Sequence, residues 1–437
     1  MTGSWEGFGR QPGEIPQAQL DDELRARLDL PATLRPVLDT GAVQSAIFEP
    51  ALKQHSRAYR AADPRFADER IGRAWYAARR TAMDVVLAAV ANSLWVNALV
   101  LRGSVLLRAW FGDAARDPGD LDFVVVPASW RIEEQRTTDM LTGIAQAAED
   151  AGRRGDMRVR FDAAGAVSED IWTYDRVPGR RLILPWTATG LPGGIVQLDF
   201  VFNESLPVDP EPLLIPSDAD GSGAVLNAAT AELSLAWKVM WLLCDMHPQG
   251  KDLYDAVLLA EHTALRYDVL REVFLDADPS EADRPVSRES FAGLQRLGTE
   301  WEHFVNEYPG VTADESEFLD RLAAAIAPTF GGIESPGESE YARRARWLLP
   351  RTQRYHRLLA WKGMQAVQKQ MQADHVPVRA ALVITRELLG ADHHTVEDAC
   401  TVVFDNPCWA RMRAAYERHP GELERIVERL SSAANRP

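Results

Sequence analysis

The stretch LRGSVLLRAWFGDAARDPGDLDFVVVP, residues 101–127, holds a small-residue turn, Gly103-Ser104, and two carboxylates, Asp120 and Asp122. The carboxylates fall where LDFVVVP reads as a strand closed by Pro127. Carboxylates in a buried strand are costly unless positive charge meets them. Two residues apart, they point to the same face of that strand. Upstream, ALVLRG reads as another strand, and Ser104 as the N-cap of the helix that follows it.

A third acid is found in GGIVQLDFVFNE, where Ile195, Gln197, Asp199 and Val201 alternate onto one face of a strand. Three carboxylates converging on one point repel one another unless divalent cations neutralise them. An all-oxygen donor set with phosphate nearby suits Mg²⁺ or Mn²⁺, and a pair of such ions clamps an in-line phosphoryl transfer. Gly103 lets the backbone approach a triphosphate, to which Ser104 and a helix N-terminus offer hydrogen bonds. The competing readings are structural: Asp120 as a turn cap, and Asp199 as a strand-end residue facing water.

The pattern resembles the nucleotidyltransferase superfamily with the DNA-polymerase-β-like fold. Within it, Gly103, Ser104, Leu107, Arg108, Arg116, Asp120, Leu121, Asp122 and Phe123 resemble the first block of the AbiEii/AbiGii-type nucleotidyltransferase toxins. ELSLAWKVMWLLCDMHPQGKDLYDAVLL is similar to that family's second block, through Glu232, Leu233, Ala236, Lys238, Lys251, Asp252 and Asp255. Pro118 departs from the usual Ser or Thr, and Trp237 from a frequent Glu. The resemblance covers about residues 98–262 and implies an α+β fold: a polymerase-β-like core of mixed sheet with helices, then a helical C-terminal domain. It also implies an enzyme that moves an NMP from an NTP to an acceptor and releases pyrophosphate.

In that reading Asp120, Asp122 and Asp199 hold Mg²⁺ or Mn²⁺, and Asp199 helps activate the acceptor hydroxyl. Gly103 and Ser104 grip phosphates, while Lys238 with Arg108 or Arg116 neutralises their charge. Asp252 orients Lys238 or the substrate. The resemblance further implies an RNA acceptor, such as the tRNA 3′ end, and a cognate antitoxin. Lys238 could instead snorkel from an apolar helix face, Asp252 could cap a helix, and Asp255 reads as part of a polar face. A small-molecule nucleotidyltransferase and a non-catalytic binding protein on the same fold are the rival functions.

Outward from the core, residues 1–74 read as a loose arm with a helical extension, 75–226 as the α/β core and 227–437 as helical, with 227–265 completing the site. The 3.6-residue recurrence of Trp75, Ala78, Met83, Val86, Leu87, Val90 and Leu94 predicts a long helix. Residues 37–92 read as mostly helical, and 208–223 as a linker or surface loop. Neither a secretory leader nor an apolar run long enough for a membrane span is present, which predicts a cytoplasmic protein. Cys244, Cys400 and Cys408 lack zinc-site spacing, and Cys244 reads as a small core residue.

The net charge of −16 repels phosphate over most of the surface. Residues 341–371 are the exception, with Arg343, Arg344, Arg346, Arg351, Arg354, Arg357, Lys362 and Lys369 and no acid, interleaved with Trp347, Tyr355 and Trp361. Such a stripe suits an RNA backbone with unstacked bases. A solvated helix face paired with acids elsewhere, its aromatics in the core, is the alternative.

Overall fold

The computed structural model describes residues 5–8, 13–154, 159–174, 177–217, 223–245, 247–277, 279–308, 310–335 and 337–432. The chain forms two compact units that interleave along the sequence. The first comprises Met1–Ser234, Met246–Leu259 and Glu300–Ala313; the second, Leu235–Asp245, Ala260–Thr299 and Asp314–Pro437. The boundary expected at residue 74 falls inside a helix. Among the described residues no helix is long and apolar enough to cross a membrane.

In the first unit the N-terminal segment is packed rather than loose. Trp5, Phe8, Ile15, Leu28, Leu30 and Leu34 are buried in one cluster with Ala46 and Tyr59. Helix α1 (Asp22–Leu28) is capped by Asp21, which accepts from the Leu24 amide at 2.8 Å. Residues 37–68 hold no α-helix, only one 3-10 turn at Pro50–Leu52. They form short antiparallel ribbons, β1 (Ala42–Val43) with β4 (Arg65–Phe66) and β2 (Ala46–Phe48) with β3 (Tyr59–Ala61). Large apolar residues, rather than a 3.6-residue stripe, anchor this region. The long helix α2 (Glu69–Ala91) follows, capped by Asp68, and buries Trp75, Met83, Val86 and Val90. Leu94, beyond its end, is exposed.

The core is a sheet of eight described strands. Strand β5 (Leu99–Arg102) leads into α3 (Ser104–Phe111), and β6 (Leu121–Val125) into α4 (Gln135–Arg153). Then come β7 (Val159–Phe161), β8 (Val167–Tyr174), β9 (Val177–Ala188), β10 (Gly194–Val201), β11 (Glu211–Pro216) and β12 (Gly223–Ala228). The order is β11-β12-β5-β6-β10-β9-β7, with β8 also on β9. β10 runs parallel to β6 and antiparallel to β9, so the sheet is mixed.

Residues 211–216, expected in a loop, pair with β12; residues 218–222 lie outside the described residues. Flanking prolines and an Asp/Gly-rich tail disguise a strand whose Ile215 is buried. Along β6, Leu121, Phe123 and Val125 are buried on one face, where Phe123 stacks on Phe200 at 5.6 Å. Alternation puts Asp122 on the other face.

Helix α5 (Ala231–Cys244) and α6 (Gly250–His262) precede a run of further helices. These are α7 (Tyr267–Ala277), α8 (Arg288–Leu297), α9 (Trp301–Glu307), α10 (Glu315–Ile326), α11 (Glu340–Trp347), α12 (Leu349–Ala373), α13 (Val378–Leu389), α14 (Val396–Asp405), α15 (Ala410–Arg418) and α16 (Pro420–Ser431). α9 belongs to the first unit. The second unit buries Phe274, Phe330, Trp347, Tyr355 and Trp409. The indole N–H of Trp409 donates to Gln368 at 2.8 Å, and Gln368 donates to Thr385 at 3.0 Å. Cys244, expected in the core, is exposed at the end of α5.

Candidate active site

β5 ends at Arg102, and Gly103 turns the chain at φ 85° into α3. Left-handed backbone of this kind favours glycine. Space demands it too: a Cβ on Gly103 would lie 2.3 Å from Asp122 Oδ2. Gly103, not Ser104, is the N-cap. Ser104 begins the helix, and its hydroxyl is buried without a hydrogen-bond partner.

Strand register assembles the acids. Asp122 on β6 is opposite Arg102 on β5 and level with Asp199 on β10, which is opposite Arg181 on β9. Neighbours in register share a face, so Arg102, Asp122, Asp199 and Arg181 form one row across four strands. Asp120 enters just ahead of β6. One oxygen from each of Asp120, Asp122 and Asp199 lies within 4.8 Å of the others. Bringing three carboxylates this close requires compensating charge.

Part of the compensation is internal. Arg181 Nε donates to Asp199 Oδ1 at 2.8 Å and Nη2 to Oδ2 at 2.7 Å, a buried two-pronged pair. Glu49, after β2, lies 3.8 Å from Arg181 and 3.3 Å from Arg60. Burial pushes the Asp199 carboxyl above the usual carboxylate range, and Arg181 opposes it only in part. Asp120 goes the other way. Burial would raise it, but Lys251, Arg116, Arg181 and Arg60 together hold it below its ordinary value. At the row's other end Arg102 donates to Glu204 at 2.7 Å, with both side chains buried.

The donor set fits a divalent cation. All three donors are hard oxygens, each carboxylate oxygen carries more than one lone pair, and the Gly103 turn leaves open the space beside Asp122. The orphaned Ser104 hydroxyl is in the next residue.

The remaining expected residues are placed as follows. Arg116 donates through Nε and Nη2 to both oxygens of Asp255, at 3.1 and 3.0 Å. Asp255, read as part of a polar face, is instead buried. Burial opposes the Arg116 charge and Asp255 outweighs it, so its pKa stands well above the usual value. Arg108 donates to the Gly112 carbonyl at 3.0 Å and pairs with Asp113. Asp252 lies inside the first turn of α6 rather than at its cap. Lys238, in the second unit, is buried, its ammonium 5.1 Å from the Trp241 ring.

Of the basic stripe, Arg344 is buried, paired with Glu340 at 2.9 Å and Asp283 at 3.2 Å. Both terminal nitrogens of Arg346 meet Glu338, at 2.5 and 2.6 Å. Arg351 donates to the Leu275 carbonyl, and Arg354 pairs with Asp374 at 3.1 Å. Trp347 and Tyr355 are core residues. Arg343, Arg357, Lys362 and Trp361 are exposed, Trp361 to 76%, with Lys362 Nζ 3.9 Å from its ring centroid.

Glu49, Arg60, Arg102, Arg181 and Glu204 escaped the sequence reading. Only Arg181 left a signal, as one of two adjacent arginines inside a β-rich run. Arg180 pairs with Asp170 at 2.6 Å, while Arg181 takes Asp199.

The three acids thus meet beside the Gly103 turn, with Asp122 and Asp199 on adjacent strands. Residues 85–334, more than half of the chain, match the family described as nucleotidyl transferase AbiEii toxin, type IV toxin–antitoxin system, and the chain belongs to that family. It is a nucleotidyltransferase toxin by that membership. A similar solved structure is MenT4, a nucleotidyltransferase toxin from Mycobacterium tuberculosis. It is 18% identical with a TM-score of 0.40, and the match covers 62% of this chain and 87% of that one. No curated protein matches.

Proposed function

We propose that the protein transfers an NMP from an NTP to RNA in the cytoplasm, releasing pyrophosphate, and that a cognate antitoxin restrains it. The observation that carries this reading is the convergence of Asp120, Asp122 and Asp199 within 4.8 Å, beside a turn that only glycine fits. These three residues would hold Mg²⁺ or Mn²⁺, which when bound supplies the charge that stabilises an in-line displacement at phosphorus. Gly103 leaves the backbone bare for the triphosphate, and Ser104 and the first amides of α3 donate to it. Asp199, fixed through both oxygens by Arg181, is assigned to the acceptor hydroxyl. Lys238, Arg108 and Arg116 are assigned to phosphate charge, and Asp252 to orienting the substrate, on the family resemblance.

The resemblance makes RNA the acceptor, the tRNA 3′ end foremost. The exposed residues Arg343, Arg357, Trp361 and Lys362 support it, since cations beside a solvent-facing indole suit a phosphate backbone and an unstacked base. A second reading, a small-molecule acceptor, is favoured by the internal pairing of Arg344 and Arg346. Incubation with labelled NTPs, Mg²⁺ and total RNA tests both. Label in a discrete RNA band is expected. Label confined to small molecules would favour the second reading, and no transfer with any NTP would overturn the proposal.

A further inference from the structure

The second unit holds a charged cleft that the acid triad does not explain. It has a volume of about 440 Å³ and is lined by the start of α7, by the 328–333 turn, and by Arg271 and Arg346. Arg271 is nine-tenths buried. Its Nη1 donates to the Arg346 carbonyl at 3.1 Å, and its Nε has no acceptor. Among the described residues it takes part in no carboxylate ion pair. A buried guanidinium in this state is costly unless an anion meets it.

The other charges of the cleft are already matched. Arg346 is held at both terminal nitrogens by Glu338, and exposed Arg266 lies 3.9 Å from Asp268. Glu272 also feels the Arg271 charge, yet among the described residues the two form no ion pair. The cleft also meets a helix N-terminus. The first hydrogen bond into α7 is from the Leu270 amide to the Arg266 carbonyl, so the amides before it have no partner within the helix. The helix dipole and the first-turn amides favour an anion there. The Tyr267 phenol adds a donor, because burial, only partly opposed by Arg346, raises its pKa and keeps it protonated.

We infer that this cleft is a binding site for a phosphate group, held by Arg271, Arg266 and the N-terminal amides of α7. A tetrahedral oxyanion accepts from a guanidinium fork and from helix amides at once. A cation is repelled by the Arg271 guanidinium, and an apolar ligand would leave that group unmatched. The phosphate has two sources, a free phosphate or a phosphodiester of RNA.

Calorimetric titration of the full chain, in EDTA without divalent cations, distinguishes them. Under that condition the acid triad repels phosphate, so binding of inorganic phosphate reports on the cleft. The oligoribonucleotide is also attracted by the exposed Arg343, Arg357 and Lys362, so for it the loss in the cleft variants reports on the cleft. Inorganic phosphate is titrated in one arm and a short single-stranded oligoribonucleotide in the other. Arg271→Lys keeps the charge but loses the fork, and should weaken binding by about tenfold or more. Arg266→Gln, at an exposed position, should weaken it about threefold. If Arg271→Lys does not fold, as judged by circular dichroism, Arg266→Gln decides alone.

Phosphate binding that both folded variants weaken supports a site for free phosphate. Binding of the oligoribonucleotide alone, weakened likewise, supports a phosphodiester site. No binding in either arm, or wild-type affinity in the folded variants, overturns the inference. No transfer is measured, so this outcome and that of the catalytic reading are separable.

Discussion

The acid row of the sheet and the basic run of α11 and α12 treat charge in opposite ways. In the sheet, residues far apart in sequence stand side by side. Arg102, Asp122, Asp199 and Arg181 are neighbours on four strands, with Glu169 next in register on β8. Two like charges sit at the centre, with a cation on either side. In the helices, cations adjacent in sequence are separated in space by what they meet. Arg344 turns inward to Asp283 and Glu340, Arg346 to Glu338, while Arg343 faces water. Residual charge, and with it the capacity to bind a charged ligand, depends on partners rather than on composition along a window.

The strongest break in this comparison comes from the centre of the row. Asp122→Asn should lower nucleotide transfer roughly 10³-fold or more, the scale of losing a principal electrostatic element of a phosphoryl-transfer site. The melting temperature should hold or rise slightly, because one of three repelling carboxylates is neutralised. Initial rates with labelled NTP, beside a thermal melt, check both. Near-wild-type transfer would remove the triad from the chemistry.

The flank of the row should act on stability. Arg181→Met leaves Asp199 and Glu49 buried without their principal cation, and breaking a buried pair from one side costs about 3–5 kcal/mol. The double variant Arg181→Met with Asp199→Leu removes both charges and should recover much of that loss. Denaturant midpoints of the single and double variants measure it. A single variant as stable as the parent would mean that Arg181 does not hold the row together.

The centre of the row was legible in the sequence and its flanks were not, for a physical reason. Asp120 and Asp122 announce themselves by a two-residue spacing inside an apolar strand, and Asp199 by a lone acid among alternating apolar residues. Such local patterns survive without knowledge of strand order. Arg181, Arg102 and Glu49 matter only because β9, β5 and the segment after β2 lie where they do, and that is set by pairing across long separations. The same limit misplaced the 37–68 ribbons and the strand at 211–216. Their apolar content is carried by few residues, and turn-forming residues outweigh it. Asp255 looked solvent-facing because its partner, Arg116, lies far upstream in the sequence.

Gly103 joins the turn to the row and should give an intermediate effect. Gly103→Ala places a Cβ 2.3 Å from Asp122 Oδ2 at φ 85°, so the turn or the carboxylate must move. Displacing a reacting group by about 1 Å costs on the order of 10² in rate. Transfer should fall by about that factor, with some loss of stability from the strained backbone. Rates and melts together distinguish this from simple unfolding, and an unaffected rate would detach the turn from phosphate binding.

The smallest effects belong to the exposed part of the basic run, and they bear on the acceptor. Arg344→Ala should destabilise by about 1–3 kcal/mol, since it leaves Asp283 and Glu340 only the more distant Arg379, at 3.7 and 3.8 Å, whereas Arg343→Gln should not move the melt. The RNA reading therefore rests on the cations that the fold leaves outside. Arg357→Gln with Lys362→Gln removes two of them beside Trp361 without touching the internal pairs. A cation that neutralises one phosphate contributes roughly 0.7–0.9 to the log–log salt slope of RNA binding, so the double variant should reduce that slope by less than two. NTP affinity should not change, because the triphosphate is assigned to the Gly103 turn and the acid triad. Salt-titrated binding of total tRNA to the parent and the double variant gives the two slopes. Equal slopes would mean that this helix face carries no RNA, and would shift weight to the small-molecule acceptor; a reduced slope with unchanged stability would confine RNA binding to the cations that have no internal partner to satisfy.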